Sequence, residues 1–383
     1  MEDVYIVSAC RTAICSLNGA FATESAPKLG AAVIKEAMTR SGLANEDIGE
    51  VIMGNVLSGG IGQAPARQAS IFAGLPPSVG AMTVNKVCGS GLKSVVLGYQ
   101  AIRLGDAKAI VAGGMESMTQ APYILEKARS GYRMGHGKLI DLIIKDGLWD
   151  PYGNMHMGMC GEECAEKQNI SRQEQDDFSI ESYKKAQEAQ SKGLFKDEIV
   201  AVNGIVEDDE PKKSNFTKFP RLKPVFKPGG TITAANASKI DDGAAAVTLA
   251  GESLVKEKGL KPLAKVLGWA QGAQEPIMFT TAPSLAIQSL FKKLGASKDD
   301  FDLYEINEAF AVVSIANMKI LGIDKEKVNV HGGAVGLGHP LGASGTRILV
   351  TLLNALKNRG KKKGIATICL GGGEAVSLAV ELV

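Results

Sequence analysis

The chain has 383 residues, 45% apolar side chains and a formal net charge of +2, which allows a large buried core in two or three domains. The balance of 43 basic and 41 acidic residues excludes an extended basic surface for nucleic acid. No apolar run reaches the 18 residues of a membrane-spanning helix, and the first residues lack signal-peptide and transit-peptide character. Six cysteines without paired spacing fit a reducing compartment. We therefore expect a cytoplasmic protein without membrane or nucleic-acid partners.

Short apolar strands alternate with helical patterns in the first third of the chain. The sequence predicts strands at 4–7, 51–53 and 109–112, and helices at 26–41 and 91–104. Clustered glycines lie between these segments and read as turns between strands and helices. This alternation is typical of a layered α/β fold.

The middle of the chain, from about 117 to 238, has a different composition. It is richer in polar residues, Met and Tyr, and it contains an amphipathic helical pattern at 172–193 and a Lys/Pro-rich stretch at 211–230. An insertion of this kind on an α/β scaffold is where substrate contacts are expected.

The last third of the chain repeats the pattern of the first. Residues 89–117 and 343–375 share a small-Ser-Gly entry, a helix, a glycine at its end, a strand, a double glycine and a glutamate. Two duplicated halves explain this spacing best. Chance similarity between two helix–strand units is the alternative.

Four motifs at the ends of predicted strands carry groups suited to catalysis: Cys88 in KVCGSG, Asn307 in EINEAF, His339 in GLGHPLGASG and Cys369 in ICLGGGEA. Such loops gather at the carboxyl ends of the strands of an α/β sheet. A cysteine nucleophile needs a lowered pKa, as at a helix N-terminus, or a neighbouring base. His339 is the natural base, and the three glycines after Cys369 let a ligand approach the backbone closely.

In this order and at this separation, the four motifs resemble those of the thiolase family. The resemblance runs from VYIVSACRTAI at 4–14 to CLGGGEAVSLAVE at 369–381. It implies an α/β fold in which duplicated βαβαβ halves form an αβαβα layered sandwich with an inserted loop domain. The implied units are an N-terminal half of 1–117 plus 239–261, a loop domain of 118–238 and a C-terminal half of 262–383.

The resemblance also implies a role for each catalytic residue. Cys88 carries the acyl group, His339 activates its sulfur and helps to hold a thioester oxygen, and Cys369 moves a proton at the α-carbon of the incoming acyl group. Asn307 positions a water in one oxyanion hole. The backbone N–H groups of Cys88 and Gly371 form the other hole.

The insertion is expected, by the same resemblance, to bind coenzyme A. Ser238 would bond the pantetheine, His156 would border the acyl and pantetheine pocket, and Met157 and Met278 would line the acyl pocket. A plain core role for the methionines and a helix-entry role for the histidine stay open. Lys223 stands where many members have an arginine near the nucleotide, which leaves open which cation meets it.

Two other groups compete with these assignments. His331, in NVHGGAVG, is the alternative to His339, although we expect it to pack in a turn below the site. Cys160 and Cys164 stand four residues apart on a predicted helix, as two metal ligands can, but no third and fourth ligand are nearby in sequence. We therefore predict neither a metal nor a redox cofactor; coenzyme A thioesters are the substrates.

The implied reaction joins two acetyl-CoA molecules into acetoacetyl-CoA and coenzyme A by a ping-pong mechanism through acyl-Cys88, with thiolysis as the reverse. The His156-Met157 pair favours short acyl chains. A longer-chain 3-ketoacyl-CoA thiolase is the near alternative, and a non-catalytic acyl-CoA or lipid carrier is the alternative from another class. Residues 124–145 fall where tetrameric family members carry a contact loop, so we predict a homotetramer.

Overall fold

The computed structural model describes residues 2–383. Its strands, in chain order, are β1 (Val4–Thr12), β2 (Cys15–Ser16), β3 (Ile48–Gly54), β4 (Gly80–Val84), β5 (Ala109–Ser117), β6 (Tyr123–Ile124), β7 (Ile140–Asp141), β8 (Trp149–Asp150), β9 (Met155–His156), β10 (Ile199–Val200), β11 (Asp241–Gly251), β12 (Ala264–Ala273), β13 (Leu303–Ile306), β14 (Lys363–Leu370) and β15 (Glu374–Leu382).

The α-helices are α1 (Ala26–Ser41), α2 (Pro65–Phe72), α3 (Ser90–Leu104), α4 (Met157–Lys167), α5 (Arg172–Ser191), α6 (Glu252–Lys258), α7 (Ala282–Leu294), α8 (Ala311–Leu321), α9 (Ala334–Leu337) and α10 (Leu341–Asn358). None of the helices in residues 2–383 combines the length and hydropathy needed to cross a bilayer.

Nine strands form one continuous mixed sheet in the order β13-β14-β15-β12-β1-β11-β5-β3-β4, with β10 beside β1 and β2 beside β11. The two halves of the sheet meet where β1 pairs with β12, over only two residue pairs, Tyr5 with Lys265 and Ile6 with Ala264. Further from this joint, each half contains parallel strand pairs: β3 with β4 and β5 in the first half, and β13 with β14 in the second. Both halves therefore have the sheet pattern of α/β proteins.

Three hydrophobic clusters place helices on every face of the two half-sheets. One cluster joins α3 and α10 to strands of both halves, the second packs α1 on the first half, and the third packs α7 on the second half. With both faces covered, β5 and β11 are buried along their whole length. The order of layers is helix, sheet, helix, sheet, helix, which confirms the predicted αβαβα sandwich.

The observed elements match most of the predicted ones. The helix predicted at 172–193 is α5, and it lies in the segment that leaves the sheet after β5 and returns at β11. The prediction that a strand ends at Cys88 is wrong, because β4 ends at Val84 and a turn separates it from α3. The domain boundaries stay a prediction.

Close approach between α3 and α10 explains the glycines in the two small-Ser-Gly entries. A Cβ on Gly91 would lie 2.8 Å from the Thr346 hydroxyl, and a Cβ on Gly345 would lie 2.4 Å from the Leu92 nitrogen. Neither position has room for a side chain. The first turns of the two central helices therefore touch, and the residues just before them converge.

Candidate active site

A cavity of about 50 Å³ lies where the first turns of α3 and α10 meet. Its walls come from both halves and from the insertion: Val87, Cys88, Gly147, Leu148, Met157, Ser238, Phe279, Ala309, Phe310, His339, Leu341 and Gly371. Five of the residues singled out in the sequence thus share one small, mostly apolar space. The fold brings them together across a separation of 283 residues between the first and the last.

Cys88 sits in the turn that precedes α3. Ser90 holds this turn, because its hydroxyl donates to the Val87 carbonyl at 2.6 Å and accepts the Lys86 N–H at 2.8 Å. Val87 has a φ of 46°, a left-handed conformation that is costly for a β-branched residue. Strain immediately before the half-buried cysteine fixes where its sulfur lies.

The pKa of Cys88 differs from the sequence-based expectation. Burial raises the pKa of the Cys88 thiol to about 12, although hydrogen bonds from the N–H groups of Cys88 itself and of Gly371 act in the opposite direction. The predicted thiolate at a helix N-terminus is therefore not the resting form, because desolvation outweighs the backbone dipoles. The same two N–H groups, close to the sulfur, are placed to receive an oxyanion formed on a bound acyl group.

The His339 imidazole is neutral and has a defined tautomer. Its backbone N–H donates to Asp241 at 2.8 Å, and its Nδ1 lies 2.6 Å from the Ser344 hydroxyl oxygen. Since the Ser344 hydroxyl donates to the Pro340 carbonyl at 2.8 Å, its oxygen accepts the Nδ1 proton and Nε2 keeps the lone pair. Burial, helped by the nearby Arg347, lowers the pKa of His339 to about 3.

Asn307 is adjacent to His339, although it is not among the residues that line the cavity. Its Nδ2 lies 3.4 Å from His339 Nε2, and its backbone N–H donates to the Thr367 carbonyl at 3.0 Å. Its Oδ1 is buried without a hydrogen-bond partner in residues 2–383. The side chain therefore has a free acceptor beside the base, as the predicted water-positioning role requires.

Cys369 is fully buried at the end of β14. It packs in one apolar cluster with Met157 and Phe310, which also line the cavity. Burial raises the pKa of Cys369 well above its usual range, and the neighbouring Cys88 raises it further. The two sulfurs, which come from opposite halves, are thus close enough to influence each other's ionisation.

The loop after Cys369 depends on glycine. Gly372 and Gly373 have φ values of 91° and 86°, and a Cβ on Gly373 would lie 2.2 Å from the Gln274 carbonyl. An ion pair between Lys86 and Glu374 joins this loop to the Cys88 turn. The two cysteine-bearing loops are therefore fastened together across the halves of the fold.

The residues predicted to bind coenzyme A are not all at the cavity. Ser238 and Met157 line it, whereas Met278 does not, and its sulfur instead lies 3.6 Å from Lys167 Nζ. His156 caps α4, accepting the Gly158 N–H at 3.1 Å on Nδ1, which is the helix-entry role left open above. Lys223 is exposed on the surface.

Three residues that hold the site in place were missed in the sequence. Ser344 and Asp241 orient His339, as described above. Glu116 is fully buried and accepts N–H groups from Val56, Leu57 and Gly342, together with the Asn55 side-chain amide. Burial raises the pKa of Glu116 to about 7. Position in the sequence was the available signal for two of them, because Ser344 lies in the His339 motif and Glu116 in the first duplicated segment, whereas nothing marked Asp241.

The competing residues lie elsewhere. His331 is buried edge-on to Phe195, 6.1 Å between ring centres, and burial lowers its pKa to about 4. Cys160 and Cys164 are buried on α4. Within the described part of the chain, no group of three or more His, Cys, Asp or Glu side chains is arranged to hold a metal ion.

Comparison with known families settles the kinship of the chain. Residues 4–253 match the family described as Thiolase, N-terminal domain, and residues 260–382 match Thiolase, C-terminal domain. The chain belongs to the thiolase family. The two matches together cover almost the whole sequence, as the resemblance of the four motifs indicated.

Relatives of this thiolase are similar along their whole length. A probable acetyl-CoA acetyltransferase from Dictyostelium discoideum is 51% identical, covering 100% of this chain and 94% of the relative. A cytosolic acetyl-CoA acetyltransferase from Gibberella zeae is 48% identical over 100% and 98%. The crystal structure of Acat5 thiolase from Ascaris suum in complex with coenzyme A has a TM-score of 0.97 at 45% identity, covering 100% of both chains.

Proposed function

We propose that this thiolase is an acetyl-CoA C-acetyltransferase, which condenses two acetyl-CoA molecules into acetoacetyl-CoA and coenzyme A and catalyses the reverse thiolysis. The observation that carries the proposal is that Cys88 and His339 line one cavity, with Asn307 3.4 Å from His339 and Cys369 packed against residues of the cavity wall. The names of the two relatives and the ligand of the Ascaris structure support the same activity.

The first half-reaction transfers the acetyl group to Cys88. As its sulfur attacks the thioester carbon, the proton moves to Nε2 of His339, because a thiol with a pKa of about 12 needs a base in step with bond formation. The N–H groups of Cys88 and Gly371 stabilise the oxyanion. Coenzyme A leaves when its C–S bond breaks, and it takes a proton from Cys369, which becomes a thiolate beside the imidazolium.

The second half-reaction forms the carbon–carbon bond. The Cys369 thiolate takes a proton from the methyl carbon of a second acetyl-CoA, and protonated His339 and an Asn307-bound water stabilise the enolate oxygen. The enolate carbon attacks the acetyl carbonyl, the bond to the Cys88 sulfur breaks, and that sulfur recovers its proton from His339. Two thiols and one imidazole account for every proton transfer in this reaction, so the proposed mechanism uses neither a metal nor a redox cofactor.

The small cavity favours a short acyl chain. Its volume is about 50 Å³, and Met157, Phe279 and Phe310 are among its walls. The longer-chain 3-ketoacyl-CoA thiolase is therefore the second candidate.

We also propose a homotetramer located in the cytosol. In support, β4 is the end strand of the sheet, and the neighbouring Phe72 and Met82 are exposed. Residues 131–138 are exposed too, and Met134 is 99% accessible. The name of the Gibberella relative supports the location. Sedimentation of the purified protein tests the assembly, and a monomer would contradict it.

A thiolysis assay tests the function directly. With acetoacetyl-CoA and coenzyme A, we expect turnover that falls as the ketoacyl chain is lengthened. Mass spectrometry after incubation with acetyl-CoA should find one acetyl group per chain on Cys88. A preference for long chains would make the second candidate correct, and absent acetylation with intact acyl-CoA binding would identify a carrier.

A further inference from the structure

The side chain of Lys239, the residue after the cavity-lining Ser238, folds back onto its own chain. Its Nζ donates to the carbonyls of Ala234 at 2.9 Å and Ala237 at 2.7 Å. The ammonium also lies 5.7 Å from the centre of the buried Tyr183 ring, within the range of a cation–π contact. One cation therefore holds two carbonyls that point to the same place.

These contacts close a turn that is also held by backbone hydrogen bonds and by the Asn236 side chain. The N–H groups of Asn236 and Ala237 donate to the Thr233 carbonyl at 3.3 and 3.1 Å. The Asn236 amide accepts the Thr233 N–H and donates to Asp176. Hydrogen bonds to a charged donor are about twice as strong as neutral ones. The turn thus has two fastenings with a charged partner, the Asn236 bond to the Asp176 carboxylate and the Lys239 bonds to two carbonyls.

The end of this turn reaches the active site. The N–H of Ser238 donates to the carbonyl of Ala309 at 3.1 Å, and both residues line the cavity. Three residues after Ser238, Asp241 accepts the backbone N–H of His339. The short segment that Lys239 fastens therefore connects the predicted coenzyme A contact with the backbone of the predicted base.

Acidic side chains surround the amino group of Lys239. Burial lowers the pKa of Lys239, but the carboxylates of Glu210, Asp241 and Glu308 act in the opposite direction. Carbonyl oxygens, an aromatic face and these acids replace part of the water that the side chain loses on burial. Lys239 therefore places a basic group of this chain at a fixed position in the fold.

We propose that Lys239 is a positioning residue for coenzyme A thioesters, acting by fastening the turn that presents Ser238 to the pantetheine arm. This inference rests on the proposed function. Because Lys239 does not line the cavity, its loss changes where Ser238 lies without removing a group from the substrate. The effect therefore falls on substrate binding and not on the chemistry at Cys88.

The test is the Lys239→Met variant, which keeps the length of the side chain and removes its charge. We expect the KM for acetyl-CoA to rise about tenfold, the equivalent of one hydrogen bond to a charged group, while kcat changes less than about threefold. Lys293→Met is the matched control. Lys293 also donates to a backbone carbonyl and lies over an aromatic ring, both of Trp269, but it stands on α7 away from the cavity.

Chemical rescue separates the cation from the side chain. In Lys239→Ala, ammonium added at constant ionic strength should lower the raised KM, whereas tetramethylammonium, which is too large and has no N–H donor, should not. If Lys239→Met does not fold, Lys239→Gln serves as the second variant, with an intermediate KM expected. A KM within twofold of wild type in all three variants would overturn the proposal.

Calorimetric titration with coenzyme A keeps this test independent of turnover. Weaker binding to Lys239→Met in a protein without thiolase activity would reject the proposed function and support the inference. Normal turnover with unchanged coenzyme A affinity would reject the inference alone.

Discussion

The two cysteine-bearing loops differ in burial and in backbone conformation. Cys88 is half-buried, follows a strained valine and precedes a long helix, whereas Cys369 is fully buried at a strand end and precedes three glycines. In the proposed reaction Cys88 must meet the thioester, which suits a strained turn that is partly open. The proposed proton carrier, Cys369, lies in apolar packing beside a glycine loop with positive φ angles. Location, more than residue type, therefore separates the two roles.

The largest test of this contrast is removal of the first sulfur. Cys88→Ala should abolish acyl-enzyme formation and lower thiolysis by at least about 10⁴-fold, because no other group can form the covalent intermediate. Mass spectrometry and steady-state assays measure the two effects. Cys10→Ala, a buried cysteine remote from the cavity, is the control and should keep its activity. Acetylation of Cys88→Ala would contradict the assignment.

Removal of the Cys369 sulfur should affect the two half-reactions differently. In Cys369→Ala, acetylation of Cys88 should persist within about tenfold, while condensation falls about 10³-fold for want of a base at the α-carbon. Labelled acetyl-CoA follows the first step and acetoacetyl-CoA production the second. Equal losses in both steps would show that the two cysteines do not have separate roles.

Ser344→Ala tests the link between His339 and its tautomer. Without the hydroxyl that accepts the Nδ1 proton, we expect about 10–100-fold slower acetylation, comparable to loss of an orienting partner elsewhere. Nitrogen NMR of labelled histidine should detect mixed tautomers. The control is Ser179→Ala, because Ser179 also donates to a carbonyl four residues earlier, at 2.7 Å, but on α5. A normal rate with a normal tautomer would exclude this role.

The smallest effect concerns pH. With the pKa of His339 lowered to about 3, the base is neutral above about pH 4, so the rate of Cys88 acetylation should vary less than about threefold between pH 5.5 and 8. A histidine with the usual pKa of about 6.5 would be roughly nine-tenths protonated at pH 5.5 and lose about tenfold. Rapid-quench measurement of the acetylation rate distinguishes the two cases.

Local sequence patterns predicted much of the fold and several of the residues that line the cavity. The motifs around Cys88 and His339 converge because each precedes a central helix, and that order is visible in the duplicated segments. The pKa of Cys88 was not predictable, since its burial depends on α10 and the insertion. Met278 does not line the cavity, and its neighbours in sequence do not show which way its side chain turns. The conformation of the Lys239 side chain was not predictable either. It depends on contacts with carbonyls two and five residues earlier and with the ring of Tyr183, which is distant in sequence.

The touching first turns of α3 and α10 have a consequence for the origin of such a molecule. Gly91 and Gly345 each pack against the opposite helix. Either half alone would therefore expose the helix surface that the other half covers, and it would carry only some of the candidate catalytic residues. Separately expressed halves should accordingly be inert until mixed. A single ancestral unit would have needed to pair with a copy of itself before the gene duplicated.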